Sequence, residues 1–335
     1  GSSSNNTLDF SATQLVSINT IDGGKGNDTL KGSSSNDQII GRLGSDYVYG
    51  NAGDDTFLTT AGDTGFDRYN GGEGSDRLQA TAEDDDIRLS SFSGDHRVEV
   101  IDGGAGVNRI VASSSNNTLD FRDTVLLNID AIHGMNGNDT LYGSVANDHI
   151  IGGHGSDYLY GHDGDDTFLL TVEDSGYDRI NGGEGNDQLL GTSADNSIRL
   201  SYFSGTNTVE TIDGAGGVDR ILSTVSNNTL DFRQTQLIGI AEIDAAAGND
   251  TVYGSVGSDR IIGGAGSDYL FGEQGDDVFL TTPDDTGYDR YSGGEGNDRL
   301  EATEQDDQLR ISHFSGDYTV EVIDGKSGTN RIVGT

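Results

Sequence analysis

In NDQIIGRLGSDYVYGNAGDD, residues 36 to 55, aspartates fall at 37, 46 and 55, and each stands two residues ahead of a large apolar residue: Ile39, Val48 and Phe57. The nine-residue phase is general. It divides the first part of the chain into GGKGNDTLK (23–31), GSSSNDQII (32–40), GRLGSDYVY (41–49) and GNAGDDTFL (50–58), then resumes in GGEGSDRLQ (71–79), ATAEDDDIR (80–88) and GGAGVNRIV (103–111). Above it runs a longer period. SSSNNTLDF at Ser2 to Phe10 returns at Ser113 to Phe121, and SNNTLDF again ends at Phe232, an offset of 111 each time. Repetition at fixed periods points to a stacked architecture, here three blocks over residues 2–112, 113–223 and 224–335.

The unit reads GGxGxDxUx, with U large and apolar, and so resembles the RTX, or hemolysin-type calcium-binding, nonapeptide repeat family. The resemblance covers about two thirds of the chain, given the many units in frame. The segments around Thr59 to Asn70, Leu89 to Asp102 and Phe121 to His133 depart from it. It implies an all-β fold, a right-handed parallel β-roll or β-solenoid, with several calcium ions held between turns by aspartate together with glycine and neighbouring carbonyl oxygens.

Elementary geometry leads to the same expectation. Six glycine-rich residues make a turn, three residues of strand follow with the middle one inward, and two units make a coil of eighteen residues. Turns n and n+2 then stack at the strand spacing of about 4.8 Å, and an ion that takes oxygen at about 2.3 to 2.6 Å reaches both. Asp28 pairs with Asp46 on one edge and Asp37 with Asp55 on the other. The corresponding ligands are Asp139, Asp148, Asp157 and Asp166, then Asp250, Asp259, Asp268 and Asp277. Later units give weaker sites at Asp76, Asp85, Asp187, Asp298 and Asp307. Asn108, Asn196 and Asn330 replace the aspartate, Asp219 keeps it, and AAAGND at Ala245 to Asp250 lacks the opening glycines. Without an ion, carboxylates about 4.8 Å apart repel by roughly 1 kcal/mol in water and several-fold more at an effective dielectric near 20, so the metal-free roll should fail.

Composition agrees. The 335 residues carry 57 acidic against 19 basic side chains, a formal charge of -38, with 32% hydrophobic residues and no cysteine. So little apolar material cannot fill a thick core, and such charge favours an open chain unless something positive completes it. With three lysines there is no basic patch for nucleic acid, no run approaches a membrane span, and thiolate metal sites are excluded. The expected partner is calcium.

Other features weigh less. His149, His154 and His162 read as solvated turn and strand residues. The doubled acids Asp54/Asp55, Asp165/Asp166 and Asp276/Asp277 read as a cap on the last calcium of a run. The acidic interruption at Asp63 to Asp67, repeated at Asp174/Asp178 and Asp285/Asp289, has two readings, a further calcium site or a solvent loop. Arg88, Arg199 and Arg310 with Glu99, Glu210 and Glu321 read as surface ion-pair ladders. The outward pairs Tyr47/Tyr49, Tyr158/Tyr160 and Tyr269/Phe271 could stack on sugar rings or pack laterally.

The functional expectation is a calcium-dependent spacer or extender region of a large secreted or cell-surface protein such as an RTX adhesin, not an enzyme. The resemblance implies a bacterial chain exported unfolded by type I secretion and folding on calcium outside the cell. The pattern runs on to NRIVGT, so a section of a longer repeat array is expected. The alternatives are a calcium-stabilised carbohydrate- or ligand-binding module using the tyrosine pairs to bind a glycan or other cell-surface ligand, and a polysaccharide-active β-helix enzyme, which threefold repetition without a unique cluster disfavours.

Overall fold

Strands of three to seven residues alternate with glycine-rich turns in the computed structural model, which describes residues 3–171, 174–283, 285–317 and 319–335. Ser2, where the first block opens, and Glu173 and Asp284 of the acidic interruptions lie outside them. The chain divides into two compact units, Gly1–Thr167 and Phe168–Thr335, with the boundary inside the second sequence block.

In the first unit, Thr7–Asp9, Thr29–Lys31, Tyr47–Ala52 and Arg68–Glu73 form one sheet in that order. Ile21–Lys25, Gln38–Leu43, Thr56–Leu58, Arg77–Gln79, Val100–Asp102 and Val125–Leu127 form a second. The second unit repeats the scheme, as in Thr229–Asp231, Thr251–Tyr253, Tyr269–Gln274, Asp289–Glu295, Gln308–His313 and Arg331–Gly334. A strand pairs with the next but one, in parallel, as in Thr29–Lys31 with Tyr47–Ala52. That is the connectivity of a β-solenoid. Among the described residues there is no α-helix, only a 3-10 turn at Gly94–His96.

Register explains how one column of apolar residues survives irregular stretches. Leu30 pairs with Val48, eighteen residues on. Val48 pairs with Tyr69 across the acidic interruption, Leu78 with Ile101 across the second irregular stretch, and Leu119 with Leu141. The extra residues sit in the connections, so each inward side chain still lands on the next inward side chain. Leu30, Ile39, Val48, Phe57, Leu78 and Ile101 are all essentially inaccessible. Rings also meet in the core: Phe57 of one file lies tilted against Tyr69 of the other at 5.4 Å, and Phe92 stacks on Phe121 at 5.0 Å between centroids. A thin file of inward residues, two per coil, accounts for the low apolar content without disorder.

The glycine at the fourth position of a turn is there for close stacking. Gly44 sits at φ +129°, and a Cβ on it would collide with the Gly26 carbonyl of the preceding coil. Both the backbone angle and the approach of the two turns exclude a side chain. Gly44→Ala is therefore expected to destabilise the fold by more than about 1 kcal/mol, measured by thermal unfolding. An unchanged midpoint would show that the turns do not stack as described.

Candidate metal centre

The aspartate at the sixth position of each turn opens a strand, and its backbone amide points along the stack. The Asp28 N–H donates to Asp46 Oδ1 at 2.7 Å and the Asp37 N–H to Asp55 Oδ1 at 2.7 Å, the two eighteen-residue pairs the spacing predicts. Asp139 to Asp157, Asp148 to Asp166, Asp250 to Asp268 and Asp259 to Asp277 repeat the bond at 2.7 to 2.8 Å. The ladders also cross the irregular stretches. Asp46 N–H donates to Asp67 Oδ1, Asp55 to Asp76, Asp268 to Asp289 and Asp277 to Asp298, at 2.8 to 2.9 Å.

Beyond these, Asp76, Asp187 and Asp298 each donate at 2.7 Å to Oε2 of Glu99, Glu210 and Glu321. This corrects the reading of those glutamates as outward ion-pair partners: they are terminal rungs. Arg88 instead pairs with Asp86 at 3.1 Å and lies over the Phe66 ring, while Arg199 and Arg310 lie over Tyr177 and Tyr288. For Asp67 and Asp289 the sequence left a calcium site and a solvent loop open, and the glutamates were read otherwise because no glycine consensus precedes them. The usable signal is an acid two residues ahead of an inward residue: Asp67 before Tyr69, Asp289 before Tyr291, Glu99 before Ile101. The acidic interruption thus contributes one rung, Asp67, while Asp63 Oδ1 accepts the Gly65 N–H at 2.9 Å and the Gly44 N–H at 3.2 Å.

The rungs are of two chemical kinds. At Asp37, Asp85, Asp148, Asp259 and Asp307 the second carboxylate oxygen, Oδ2, is satisfied inside its own turn. It accepts the N–H of the Ser or Thr four residues earlier: Ser33, Thr81, Ser144, Ser255 and Thr303, at 2.5 to 2.9 Å. In all but the first, the hydroxyl donates as well. Asn196 is held in the same way by Thr192. The cap appears where a ladder begins, as at Asp37 before Asp55 and Asp259 before Asp277. A first rung has no earlier amide to accept, and a serine or threonine takes that place.

At Asp28, Asp46, Asp55, Asp76, Asp139, Asp250, Asp268, Asp277 and Asp298, and at Asp219, Oδ2 is buried and has no hydrogen-bond partner. Asp157, Asp166 and Asp187 are equally buried. In these open turns the second position adopts positive φ, as at Gly24 (98°), Arg42 (73°), Asn51 (78°) and Met135 (74°). None of the capping serines and threonines does, so the backbone of the second position separates the two kinds. The [Ser/Thr]-x-x-x-[Asp/Asn] spacing that marks the capped turns is visible in the sequence and was not used.

Each open turn forms an oxygen cradle. A Cβ on Gly23 would lie 2.7 Å from Asp28 Oδ2 and 2.8 Å from the Gly41 carbonyl oxygen of the next coil. On Gly134 it would lie 2.7 Å from Asp139 Oδ2 and 2.5 Å from the Gly152 carbonyl oxygen. The nearest atoms around the space that glycine leaves are these two oxygens, with Leu30 Cδ1 behind them at Gly23, and one of the two is a carboxylate oxygen with no donor. Hard, oxygen-seeking cations such as calcium fit that donor set. No three acidic or histidine side chains converge among the described residues, so carbonyl oxygens have to supply part of any coordination shell. Ala245, at the place of Gly23 and Gly134, puts a fully buried methyl where they leave space, although Asp250 keeps the rung bond to the Asn228 N–H at 2.6 Å.

Burial in the absence of a counter-charge dominates the titration of these groups. It pushes Asp46 up to about 6, with Asp28 and Asp63 adding to the rise, and Asp55 up to about 7, with Asp76, Asp37 and Asp54 adding. Asp139, Asp250 and Asp277 are likewise raised to about 7 and Asp268 to about 6. The folded form therefore holds protons more tightly than the unfolded chain.

The remaining candidates are arranged differently. Asp54 Oδ1 accepts the Ser75 N–H at 3.0 Å, and Asp276 Oδ1 the Asn297 N–H at 2.9 Å, so these outer acids of the doublets form a second, exposed amide ladder. Tyr47, Tyr158 and Tyr269 are exposed, Arg68 lying 5.8 Å from the Tyr47 ring and Arg290 4.8 Å from that of Tyr269. Tyr160 stacks on Tyr142 at 4.6 Å, with Arg122 over the latter at 4.3 Å, and Phe271 stacks on Tyr253 beneath Arg233. These aromatics form lateral stacks with arginine at one end. Tyr49, half-buried, pairs in register with Lys31 and Asn70.

Two outcomes are expected. In excess chelator, the raised carboxylates make the fold more stable near pH 5 than near pH 8: their contribution is fully present below about 4 and lost as pH rises through 6 to 7. The β-structure that remains in chelator at the two pH values, read by circular dichroism, checks the sign. Asp46→Asn should stabilise the chelated protein and lower the number of ions bound, whereas Asp148→Asn, at a capped rung, should leave that number unchanged. Titration calorimetry and melting of both variants distinguish the kinds of rung.

A family model described as the RTX calcium-binding nonapeptide repeat (4 copies) matches residues 22–57, 61–92, 97–122, 133–168, 174–198, 244–279 and 285–310, more than half of the chain. No curated protein matches it. With nonapeptides matched along its length and built as a parallel solenoid, the chain belongs to the RTX calcium-binding nonapeptide repeat family.

Proposed function

We propose that the chain is a calcium-dependent structural extender of a larger secreted or cell-surface protein, unfolded where calcium is scarce and rigid where it is abundant. One observation carries this reading. Open rungs such as Asp28, Asp46, Asp139 and Asp277 bury carboxylate oxygens that have no donor, and an unpaired buried charge is strongly destabilising. Calcium would be held by those oxygens, with Asp157, Asp166 and Asp187 in equivalent turns, and by the carbonyl oxygens beside them. When bound it supplies the positive charge the ladders lack. The capped rungs Asp37, Asp85, Asp148, Asp259 and Asp307 need no ion, and they give the ladders they begin a metal-independent starting point.

Coupling follows from linkage. An ion that binds only the folded turn stabilises it by RT ln(1 + [Ca]/Kd), about 2.7 kcal/mol at a hundredfold excess. Sites of extracellular type, with dissociation constants of roughly 10⁻⁴ to 10⁻³ M, would fill outside a cell and stay largely empty inside. Transport as an unfolded chain and folding at the destination are then the same equilibrium read at two calcium concentrations. The repetition of one turn without a unique side-chain constellation suits a spacer better than a reaction centre.

Circular dichroism with calcium titration and chelation tests the proposal. Calcium is expected to induce cooperative β-structure and chelator to abolish it at neutral pH. β-structure and a melting temperature unchanged in excess chelator would sink it.

A further inference from the structure

On the outward face of the second unit a shallow trough lies between two exposed tyrosines. Phe203, Leu230, Val252 and Leu270 are buried, so the residues just before them, Tyr202, Thr229, Thr251 and Tyr269, point outward. These four stand level on successive strands: Phe203 bridges Leu230, Thr229 pairs with Thr251, and Thr251 pairs with Tyr269. Tyr202 is 40% and Tyr269 38% exposed. Each ring has an arginine behind it. Arg179, from the strand Arg179–Glu184 that precedes Tyr202, lies 5.8 Å from the Tyr202 ring centroid, and Arg290, one strand beyond Tyr269, lies 4.8 Å from that of Tyr269. The guanidinium groups cover the outer faces, and the inner faces look toward each other across the two threonines.

The next outward positions on the same strands, Asp231, Tyr253 and Phe271, form one long side of the trough. Tyr253 stacks on Phe271 at 4.7 Å, Arg233 lies 4.2 Å over Tyr253, and Arg233 Nε donates to Asp231 Oδ1 at 2.9 Å. Three strand spacings of about 4.8 Å put Tyr202 and Tyr269 roughly 14 Å apart. Carbon atoms in contact sit about 3.5 to 4.0 Å apart, so one flat ring fits against each tyrosine with the threonine hydroxyls between them. A ligand for this trough must offer an apolar face to the tyrosines and hydroxyls to threonine, aspartate and arginine. A pyranose does both, with C–H bonds on its face and hydroxyls around its rim. The charge of -38 repels anionic polysaccharide, which leaves neutral sugars.

We propose that the trough between Tyr202 and Tyr269 binds a neutral pyranose glycan. The two tyrosines stack on sugar rings, Thr229 and Thr251 bond to hydroxyls from below, and the Asp231–Arg233 pair does so from the side. Phe271 packs on Tyr253 and serves as a side wall rather than as a stacking platform. The first unit carries half of the same arrangement: Thr118, Thr140 and Tyr158 stand in register, but Ser91 takes the place of Tyr202 and accepts a bond from Arg68 Nε at 2.9 Å. With one aromatic wall in place of two, that trough is the weaker of the pair. Glycan binding here is separate from the calcium reading, because none of these side chains belongs to a ladder.

The test uses the full chain with calcium present. Cello-, malto-, manno- and N-acetylchito-hexaose are titrated by calorimetry and saturation-transfer NMR, with an oligogalacturonate as the anionic comparator. At least one neutral hexaose should bind with a dissociation constant of about 1 mM or tighter. Tyr202→Ala and Tyr269→Ala should each weaken that binding at least about tenfold, whereas Tyr202→Phe, which keeps the ring, should retain it. If an alanine variant changes the circular dichroism spectrum, Thr251→Arg, which fills the floor from an outward position, reads the same trough. Failure of every neutral hexaose to bind overturns the proposal, as do alanine variants that bind like the parent chain or an oligogalacturonate that binds as well as the neutral sugars. The circular dichroism spectrum in calcium and in chelator, recorded on the same samples, reports separately on calcium-coupled folding.

Discussion

The backbone amide of one position-six aspartate, bonded to the carboxylate of the aspartate a coil further on, sets the geometry of each ladder. That bond uses one oxygen of the carboxylate to hold neighbouring turns in register, and it brings the other oxygen into the space beside the glycine five residues upstream. In one arrangement the side chain is both a strut between coils and a half-built cation site. A strand amide that would otherwise end unpaired is satisfied, and the cost is a buried charge. The remaining features of the turns are responses to that cost.

Serine or threonine at the second position satisfies the second oxygen by donating both its amide and its hydroxyl to it, as at Ser144 and Asp148. Glycine, or another residue at positive φ, leaves the oxygen bare. The alternation of these two turns divides a long acidic chain into short ladders with a capped start, middle rungs whose second oxygen is bare, and a terminal acid. Tyr69 and Tyr291 show one way to end a ladder: their buried hydroxyls donate to Asp67 and Asp289 at 2.8 Å, satisfying the last carboxylate with a proton donor. The -38 charge is thus a consequence of how the coils are joined as much as a surface property.

The thin core follows from the same economy of residues. Only the middle residue of each short strand points inward, so side-chain packing alone leaves the stack weak per coil, and hydrogen bonds along the turns carry much of its order. Stability then depends on the ionic state of the rungs. This is why a nonapeptide rich in glycine and aspartate forms regular structure, although by composition it resembles a disordered segment.

Much of this was legible in the residues. The nine-residue phase and the two-residue step from acid to apolar side chain determined the parallel coil, the inward column through Leu30, Val48 and Ile39, and the pairing of Asp28 with Asp46 and Asp37 with Asp55, because strand spacing and coil length leave no other register. The identity of the second turn residue also distinguished capped from open rungs, and was overlooked because the glycine consensus drew attention to the first and fourth positions. Only the tertiary structure decided that Glu99 and Asp67 are rungs, since insertions of three to five residues break the sequence phase while the stacked strands restore it in space. Only it separated the two oxygens of each open-rung carboxylate into one bonded and one bare, a distinction that arises from the approach of a neighbouring coil.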